Sequence, residues 1–331
     1  MNIDTKKLKR IYNSLSDDIS RDIFKHRLMY SILEDKSEIT KIVYEASPAS
    51  KELSSSKVCY YGAGAGCSWL IKWNTNAPFV IDKFKTGSIE GHPIISLEDF
   101  LKLPDYKDYL IIVTVGKERA RQEISEELKS HGLRFLFAYF DLQYFDLQYF
   151  DLENLKLEKE YFADVGALDG ETTKYFFEHF KGGQAYVFEP NPKQFEVTCD
   201  ALNDYPEAEL FPYGLYDENT TLHFAECKTD AGSAKISEDG EITVEVRKMD
   251  DVLRNKPVTF IKMDIEGSEL AALRGAEHII REQRPKLAIC VYHKPEDIWE
   301  IPSLILDYHP DYHLYLRHYS ITYTETVLYA I

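Results

Sequence analysis

In the second half of the chain, most clearly from position 161 onwards, short apolar runs alternate with segments whose apolar residues have helical spacing. An apolar run at 161–165 is followed by a turn of small residues, a segment with helical spacing at 171–180, and a second apolar run that ends at Glu189. This order predicts a strand, a helix and a second strand, which together form a βαβ unit. In such a unit the turn lets the backbone approach a ligand, and an acid after the second strand can accept both ribose hydroxyls. The pattern therefore predicts a nucleoside-binding site.

The same alternation continues towards the end of the chain. Apolar runs at 258–263 and 287–291 flank a segment with helical spacing at 268–282. Shorter runs predict further strands at 209–211, 221–225, 242–246, 312–317 and 325–329. Strands that alternate with helices predict a mostly parallel sheet with helices on both of its faces.

The first half of the chain begins with apolar residues at helical spacing over 4–34. A capping sequence at Ser16, Asp17 and Asp18 divides this stretch into two predicted helices. We interpret the helical stretch as a packing or dimer-forming arm, and the oligomeric state is left open. A second α/β pattern follows, with predicted strands at 57–61, 78–81 and 110–115 and a helix at 117–131.

A glycine turn, Gly62-Ala-Gly64-Ala-Gly66, follows the first strand of this second pattern. Asp82 stands about 20 residues beyond the turn, where a Rossmann fold holds an adenosine ribose. However, Cys67 takes the nearest place of the third glycine in the dinucleotide fingerprint. We therefore predict a small Rossmann-like accessory domain, for which ligand binding and a purely structural role are both open.

A five-residue repeat joins the two α/β patterns. The sequence Tyr-Phe-Asp-Leu-Gln occurs twice from position 139 and is followed by Tyr-Phe-Asp-Leu-Glu. A period of five fits neither a strand nor a helix, so we interpret the repeat as a duplicated linker and not as a functional aromatic cluster. The predicted organisation is a helical arm at 1–50, a small Rossmann-like domain at 51–140, a linker at 141–160 and the main domain at 161–331.

The glycine spacing and the acidic charge of the turn in the main domain indicate which kind of nucleoside it binds. Gly166 and Gly170 have the spacing G-x-x-x-G, which is not the dinucleotide fingerprint, and Asp164 would repel a pyrophosphate placed over the turn. A sulfonium ligand with an ammonium-bearing tail suits an acidic turn better, so S-adenosylmethionine (SAM) is the predicted cofactor. Ligands of open parallel sheets bind at the carboxyl ends of the strands. The predicted cofactor-binding residues there are Asp164, Gly166, Ala167, Gly170, Glu189, Asn191 and Asp264.

Six segments occur in order between position 161 and the end of the chain: FADVGALDGETT, YVFEPNP, GLYDENTTLHF, VRKMDDVL, FIKMDIEGSELAALRGA and AICVYHKPEDIWEIP. Together they resemble the FkbM-type family of SAM-dependent methyltransferases. The resemblance implies an α/β fold with a class I methyltransferase Rossmann-like sheet that ends in an antiparallel strand pair. Here that sheet would be preceded by the smaller Rossmann-like α/β domain and the N-terminal helical arm.

Composition narrows the choice of partners. The 331 residues are 44% apolar and 13% aromatic, so the chain can bury a core of ordinary size. A formal charge of −17 without a large basic block argues against nucleic acid as a partner. The charged start MNIDTKKLKRIYNSLSDD lacks the apolar core of a secretion signal, and no later segment has the apolar length of a membrane span. We therefore expect a cytoplasmic protein, and its five cysteines, without a C-x-x-C pair, are expected to be reduced.

Candidate catalytic residues follow two of the later strands. Lys262, Asp264 and Glu266 share one face of an extended segment that points towards the mouth of the site. Methyl transfer to a hydroxyl requires alignment of donor and acceptor and removal of one proton. His293 follows the next strand and ordinarily titrates near neutrality, so we predict that it is the base, with Asp264 as second choice and Lys262 as a further catalytic residue. A purely structural network of Lys262 with the carboxylates is the alternative.

The same region contains acidic residues that could bind a metal and a polar stretch that could form a loop over the site. Asp164, Asp264, Glu266 and His293 could gather around a divalent ion, but no tight ligand spacing supports this, so we expect no metal. The polar, glycine-bearing stretch at 230–234 with 238–240 is typical of a loop that closes over an acceptor, and equally of an ordinary hairpin connection.

The leading hypothesis is a SAM-dependent methyltransferase. The family resemblance implies methylation of an oxygen of a sugar, a sugar nucleotide or another small polar metabolite, in surface-glycan or natural-product biosynthesis. It does not identify the acceptor or the atom that is methylated. The rival hypothesis is a nucleotide-sugar or NAD-binding protein that uses the turn at Gly62–Gly66, with an inactive methyltransferase-like scaffold behind it.

Overall fold

The computed structural model of the protein describes residues 4–46, 56–72, 77–138, 148–150, 152–180, 182–225, 235–236, 242–320 and 322–331. The chain divides into two compact units. The first consists of Met1–Arg21, Asp146–Leu316 and Val327–Ile331, and the second of Asp22–Phe145 and Arg317–Thr326. The predicted arm at 1–50 is thus shared between the units, and the change of unit after Phe145 falls inside the predicted linker at 141–160.

The helices and strands alternate along most of the described chain. The helices are α1 Thr5–Ser14, α2 Asp18–Leu33, α3 Lys36–Ala46, α4 Ala65–Ile71, α5 Leu97–Leu101, α6 Glu118–Ser130, α7 Glu171–His179, α8 Pro192–Ala201, α9 Met249–Val252, α10 Glu269–Arg274, α11 Glu277–Gln283 and α12 Asp297–Tyr308. The strands are β1 Lys57–Tyr61, β2 Val80–Ile81, β3 Gly87–Ile89, β4 His92–Ile95, β5 Tyr109–Val113, β6 Arg134–Phe137, β7 Tyr161–Val165, β8 Gln184–Phe188, β9 Ala208–Phe211, β10 Gly214–Leu215, β11 Thr220–Ala225, β12 Lys235–Ile236, β13 Ile242–Arg247, β14 Phe260–Met263, β15 Lys286–Cys290, β16 Leu314–His318 and β17 Thr326–Ala330. Among the described helices, none combines the length and apolar character needed to cross a bilayer.

The main sheet has, among the described residues, seven strands in the order β16-β17-β15-β14-β7-β8-β9. Neighbouring strands from β15 to β9 run parallel, whereas β17 runs antiparallel to β15. The mostly parallel sheet and its antiparallel finish are therefore confirmed. The chain leaves β7 towards β8 on one side and returns on the other side through β14, so the carboxyl ends of β7 and β14 mark the topological switch point where ligands of such sheets bind.

Aromatic side chains fill the core beneath β7 and β14. The rings of Phe162 and Phe260 on these neighbouring strands stack with centroids 5.1 Å apart, and Phe176 from α7 lies 4.8 Å from Phe162. Phe150 packs on the same group, 6.0 Å from Phe162. Tyr149 beside it is buried as well. The described end of the repeat, at 148–150, is thus part of a core.

A smaller sheet also belongs to the first unit. Its described strands lie in the order β10-β13-β11-β12, and β11 and β13 form the antiparallel pair that the sequence predicts. The predicted helix at 268–282 is instead two helices, α10 and α11. The break lies at Gly275, where an added Cβ would be 1.9 Å from the carbonyl oxygen of Tyr216, so only glycine admits this close backbone approach.

The N-terminal residues of the first unit pack on α12. The side chain of Asp4 caps α1 by accepting a hydrogen bond from the backbone N–H of Lys6. On the next turns Lys7 lies 2.9 Å from the carboxylate of Glu300, and Arg10 donates to the carbonyl of Leu306 at 2.6 Å. This part of the predicted arm therefore has a structural role within the first unit.

The second unit contains its own sheet, with the described strands in the order β3-β4-β2-β1-β5-β6. All described pairs except β3 with β4 are parallel, and apolar clusters cover both faces. The predicted Rossmann-like pattern is present here, with β2 shorter than the run at 78–81 and β5 ending before position 115.

Candidate active site

A cavity of about 160 Å³ lies at the carboxyl ends of β7, β8 and β14 in the first unit, at the switch point of the sheet. The main sheet and its loops line it with Val165, Gly166, Leu168, Phe188, Glu189, Pro190, Asn191, Gln194, Asp264, Ile265, Glu266 and Ser268. The small sheet and its neighbours line it with Gly214, Leu215, Tyr216, Leu222, Val244 and Val246. One wall therefore carries carboxylates and the other is mostly apolar, a combination that suits an apolar base joined to a polar sugar.

The turn after β7 is held by contacts of its backbone. Gly166 has a φ of +84°, and a Cβ at this position would lie 2.0 Å from the carbonyl oxygen of Asp264. The backbone N–H groups of Gly166 and Ala167 donate to the carbonyl of Phe188. Gly170, with a φ of +82°, begins α7. The glycine predicted to let the backbone approach a ligand thus also lets two segments of the protein approach each other.

Glu189 lies at the end of β8, in the cavity wall. Its side chain is 7% exposed and accepts two backbone hydrogen bonds, from Leu168 at 2.9 Å and from Asn191 at 2.8 Å. Burial raises the pKa of Glu189, although these two hydrogen bonds oppose the shift. Each carboxylate oxygen keeps a second lone pair for a ligand hydroxyl. Asn191, which also lines the cavity, caps α8 by accepting from the N–H of Lys193 at 3.0 Å.

Asp164 and Lys262 form a buried ion pair behind the turn. The Nζ of Lys262 lies 3.0 Å from Oδ1 of Asp164 and donates to the carbonyl of Gly166 at 2.6 Å. The other oxygen of Asp164 accepts from the hydroxyl of Thr173 at 2.7 Å. Burial opposes the charge of Lys262, but Asp164 and Asp264 outweigh it and raise the pKa of the amine. Neither Asp164 nor Lys262 lines the cavity, and the ion pair favours the structural network that was the alternative for Lys262.

Asp264 is the carboxylate that reaches from β14 into the cavity wall. It accepts hydrogen bonds from the hydroxyl of Tyr149 at 2.8 Å and from that of Tyr292 at 3.3 Å. Burial disfavours its charge, but the neighbouring His293 and Lys262 outweigh burial and lower the pKa of Asp264. The side chain is therefore an oriented, ionised carboxylate that faces the contents of the cavity.

His293 lies behind Asp264 and does not line the cavity. Only 6% of its side chain is exposed. Its Nδ1 lies 2.8 Å from the carboxylate of Glu269, and its Nε2 lies 3.4 Å from Asp264 and 3.9 Å from Glu266. Burial opposes a positive charge, but these carboxylates raise the pKa of His293 to about 9. The predicted base thus carries a proton at neutral pH in this arrangement, which contradicts the ordinary pKa on which the prediction was based.

Sequence reasoning missed two residues of this group. Tyr149 belongs to the repeat, whose five-residue period gives no sign that one copy meets Asp264. Glu269 is a fully buried carboxylate at the start of α10. In the sequence it looks like an ordinary acidic residue in the first turn of a helix. The available signal was its position five residues after Asp264, beyond the turn at Gly267, where the φ of +94° brings the chain back on itself.

The possible metal ligands that the structure brings together differ from the set considered in the sequence. Among the described residues, Asp264, Glu269 and His293 place one possible ligand atom each within 4.8 Å of one another. Asp164 is instead paired with Lys262. The stretch at 230–234 with 238–240, predicted to close over the acceptor, lies outside the described residues.

In the second unit, Asp82 closes the glycine turn itself. One carboxylate oxygen accepts from the N–H of Ala63 at 2.6 Å, and the other accepts from those of Phe84 and Lys85, each at 2.8 Å. The carboxylate predicted for a ribose therefore already accepts three backbone hydrogen bonds, one from the glycine turn and two from the residues that follow Asp82. Oδ1 of Asp82 already accepts two of these hydrogen bonds, whereas each oxygen of Glu189 accepts only one, so Asp82 is less able to bind both hydroxyls of a ribose. This difference counts against the rival hypothesis of a nucleotide site at Gly62–Gly66.

Comparison with a family model concerns mainly the first unit. Residues 164–320 match the sequence model of the family described as the methyltransferase FkbM domain. A curated relative is the 2-O-methyltransferase NoeI of Sinorhizobium fredii (strain NBRC 101917 / NGR234), which is 25% identical over 144 residues. That match covers 37% of this chain and 59% of the relative.

A solved structure is similar over nearly the whole chain. The crystal structure of methyltransferase FkbM from Methylobacillus flagellatus KT aligns with a TM-score of 0.52 and 21% sequence identity. The alignment covers 92% of this chain and 99% of that chain. At this identity the similarity concerns the fold, and it confirms the α/β architecture predicted from the sequence.

Proposed function

We propose that the protein is a SAM-dependent O-methyltransferase whose acceptor is a sugar or another small polar metabolite, because residues 164–320 match the sequence model of the methyltransferase FkbM domain. The observation that carries this proposal is that Glu189 and Asp264 face one cavity at the switch point of the sheet. The first carboxylate suits a ribose diol, and the second suits a hydroxyl that loses its proton.

The described residues fit the cofactor. Glu189 is oriented by two backbone N–H groups and would hold the ribose, while Leu222, Val244 and Val246 would cover the apolar base. The backbone turn at Gly166 would lie beside the methionine part. Bound there, SAM supplies an electrophilic methyl group, whose transfer to an acceptor oxygen leaves the S–C electron pair on sulfur and releases the hydroxyl proton.

The residues of this chain would align the acceptor and take up that proton. Asp264 is the better placed of the two predicted bases because its carboxylate lies in the cavity wall, whereas His293 lies behind it. The hydroxyls of Tyr149 and Tyr292 fix the orientation of this carboxylate. A positioned general base of this kind contributes about 10² to 10⁴ in rate.

The acceptor class rests on three observations. The curated relative NoeI is a 2-O-methyltransferase, although the match covers little more than half of its length. The cavity presents Asp264 and Glu266, and carboxylates bind the hydroxyl groups of sugars well. The formal charge of −17 disfavours a polyanionic acceptor. A role in surface-glycan or natural-product biosynthesis is consistent with these features.

Calorimetric titration with S-adenosylhomocysteine tests the cofactor site. Glu189→Ala removes a charged acceptor of hydroxyl hydrogen bonds, a change of about 1.5–3 kcal/mol, so the affinity should fall by roughly tenfold or more. Glu196→Ala on the exposed face of α8 changes the charge equally and should bind like the wild type. Absence of binding by the wild-type protein, or equal affinities of both variants, would contradict the assignment.

A further inference from the structure

We propose that Asp264, Glu266 and His293 form a binding site for a divalent cation of the Mg²⁺ or Mn²⁺ type, with Glu269 orienting the histidine ring. The proposal rests on the proposed function, because it places the cation where an acceptor hydroxyl would meet Asp264. It reverses the expectation, drawn from the sequence alone, that the site contains no metal.

The first argument is the spacing of the ligand atoms. Nε2 of His293 lies 3.4 Å from Oδ1 of Asp264 and 3.9 Å from Oε2 of Glu266. Two atoms that bind one Mg²⁺ or Mn²⁺ at about 2.1 Å are separated by about 3–4 Å, depending on the angle between them. Both carboxylate oxygens therefore already lie at such a separation from Nε2 of His293.

The second argument concerns the histidine. The ring is 6% exposed, and within the described part of the chain its Nε2 makes no aligned hydrogen bond, although it lies 3.4 Å from Oδ1 of Asp264. A buried ring nitrogen without a partner is costly unless another group satisfies it. A cation between Nε2, Asp264 and Glu266 would bind the lone pair of this nitrogen. Nε2 cannot carry a proton and bind the cation at the same time.

Glu269 completes the pattern of a metal-binding histidine. Its Oε1 lies 2.8 Å from Nδ1 of His293 and also accepts the backbone N–H of Ile265 at 2.9 Å. Histidines that bind metals commonly direct the other ring nitrogen to a carboxylate, which fixes the tautomer and the direction of the ring. Here the fixed ring directs Nε2 towards Asp264 and Glu266.

The charge and position of the group favour a hard divalent cation. Asp264, Glu266 and Glu269 contribute three carboxylates against one imidazole, and Lys262 is already paired with Asp164. Oxygen-rich donor sets of this kind suit Mg²⁺ and Mn²⁺. Asp264 and Glu266 line the cavity, so the cation would face the acceptor and would lower the pKa of a hydroxyl bound to it. The cation itself is unchanged by the reaction, and the hydroxyl proton leaves to Asp264 or to water.

Titration of the full-length, chelator-treated protein with Mn²⁺ tests the site, with free Mn²⁺ measured by electron paramagnetic resonance. The titration contains neither SAM nor acceptor. We expect saturable binding of one ion per chain, with an affinity at least tenfold weaker in Glu266→Gln and in His293→Gln. Glu282→Gln on the exposed end of α11 removes one negative charge elsewhere and should bind Mn²⁺ like the wild type.

Several outcomes would overturn the proposal. They are absence of saturable binding, equal Mn²⁺ affinity in Glu266→Gln and Glu282→Gln, or competition by Zn²⁺ alone and not by Mg²⁺. Because Glu266 is 26% exposed, its variant decides the question even if His293→Gln fails to fold. Titration of the same samples with S-adenosylhomocysteine separates the two proposals. Cofactor binding without Mn²⁺ binding refutes only the metal site, whereas Mn²⁺ binding without cofactor binding refutes the proposed function.

Discussion

The substitution Gly166→Ala tests whether the turn after β7 depends on close packing of the backbone. A left-handed φ of +84° costs an alanine about 1–2 kcal/mol. The added methyl group would also lie 2.0 Å from the carbonyl oxygen of Asp264 and 2.9 Å from the side chain of Ile265, so the two segments must separate by about 1 Å. Local strain of this kind costs a further 1–3 kcal/mol or so, which gives a total loss of about 2–5 kcal/mol in the free energy of unfolding.

Gly182→Ala is the matched control in the same unit. Gly182 has a similar φ of +79°, but an added methyl group would meet only the flexible side chain of Lys159, at 3.6 Å or more. It should therefore lose only the conformational part, about 1–2 kcal/mol. Urea unfolding followed by circular dichroism measures both variants, and calorimetry measures their affinity for S-adenosylhomocysteine. Only Gly166→Ala should also lose affinity. Equal losses of stability and unchanged affinity in both variants would refute the packing argument.

Three further predictions concern side chains of the core and the site. Tyr149→Phe removes the hydrogen bond to Asp264 without a change of shape, so turnover should fall several-fold in a methyl-transfer assay while cofactor affinity in calorimetry stays within twofold. Lys262→Met leaves the buried charge of Asp164 unpaired, and urea unfolding should show a loss of about 3–5 kcal/mol; a loss under 1 kcal/mol would contradict the buried pair. Burial lowers the pKa of His318 to about 3, whereas in the unfolded chain this histidine binds a proton near pH 6.5. The folded protein should therefore lose stability as the pH falls from about 6.5 towards 3. Between pH 7.5 and pH 5 the wild type should lose about 2 kcal/mol more than His318→Gln, and parallel losses would contradict this.

The backbone of the site follows closely from the sequence. The alternation of apolar runs places β7 at its observed bounds and β8 within one residue, because buried parallel strands require uninterrupted apolar positions. The acids that end these strands are visible in the sequence for the same reason, and Glu189 lies in the cavity wall. The pattern of strands and helices was therefore sufficient to locate the carboxyl edge of the sheet.

The pairing of side chains was not visible in this pattern. Asp164 and Lys262 lie about a hundred positions apart, and only the register of β7 beside β14 brings them together. The pKa of His293 depends on Glu269, whose burial follows from the turn at Gly267. Periodicity reports which face of an element is buried, but it does not report which charged residue lies opposite on the neighbouring element.

Asp264 serves the site through two separate parts of one residue. Its carbonyl oxygen occupies the space beside Gly166, while its carboxylate meets Tyr149, Tyr292 and His293. Since every amino acid has a carbonyl, the side chain at this position can change without removing the contact that shapes the cofactor turn. Selection can therefore alter the chemistry offered to an acceptor at position 264 while the cofactor turn is inherited intact, and acceptor diversity in such a scaffold need not begin with a loss of cofactor binding.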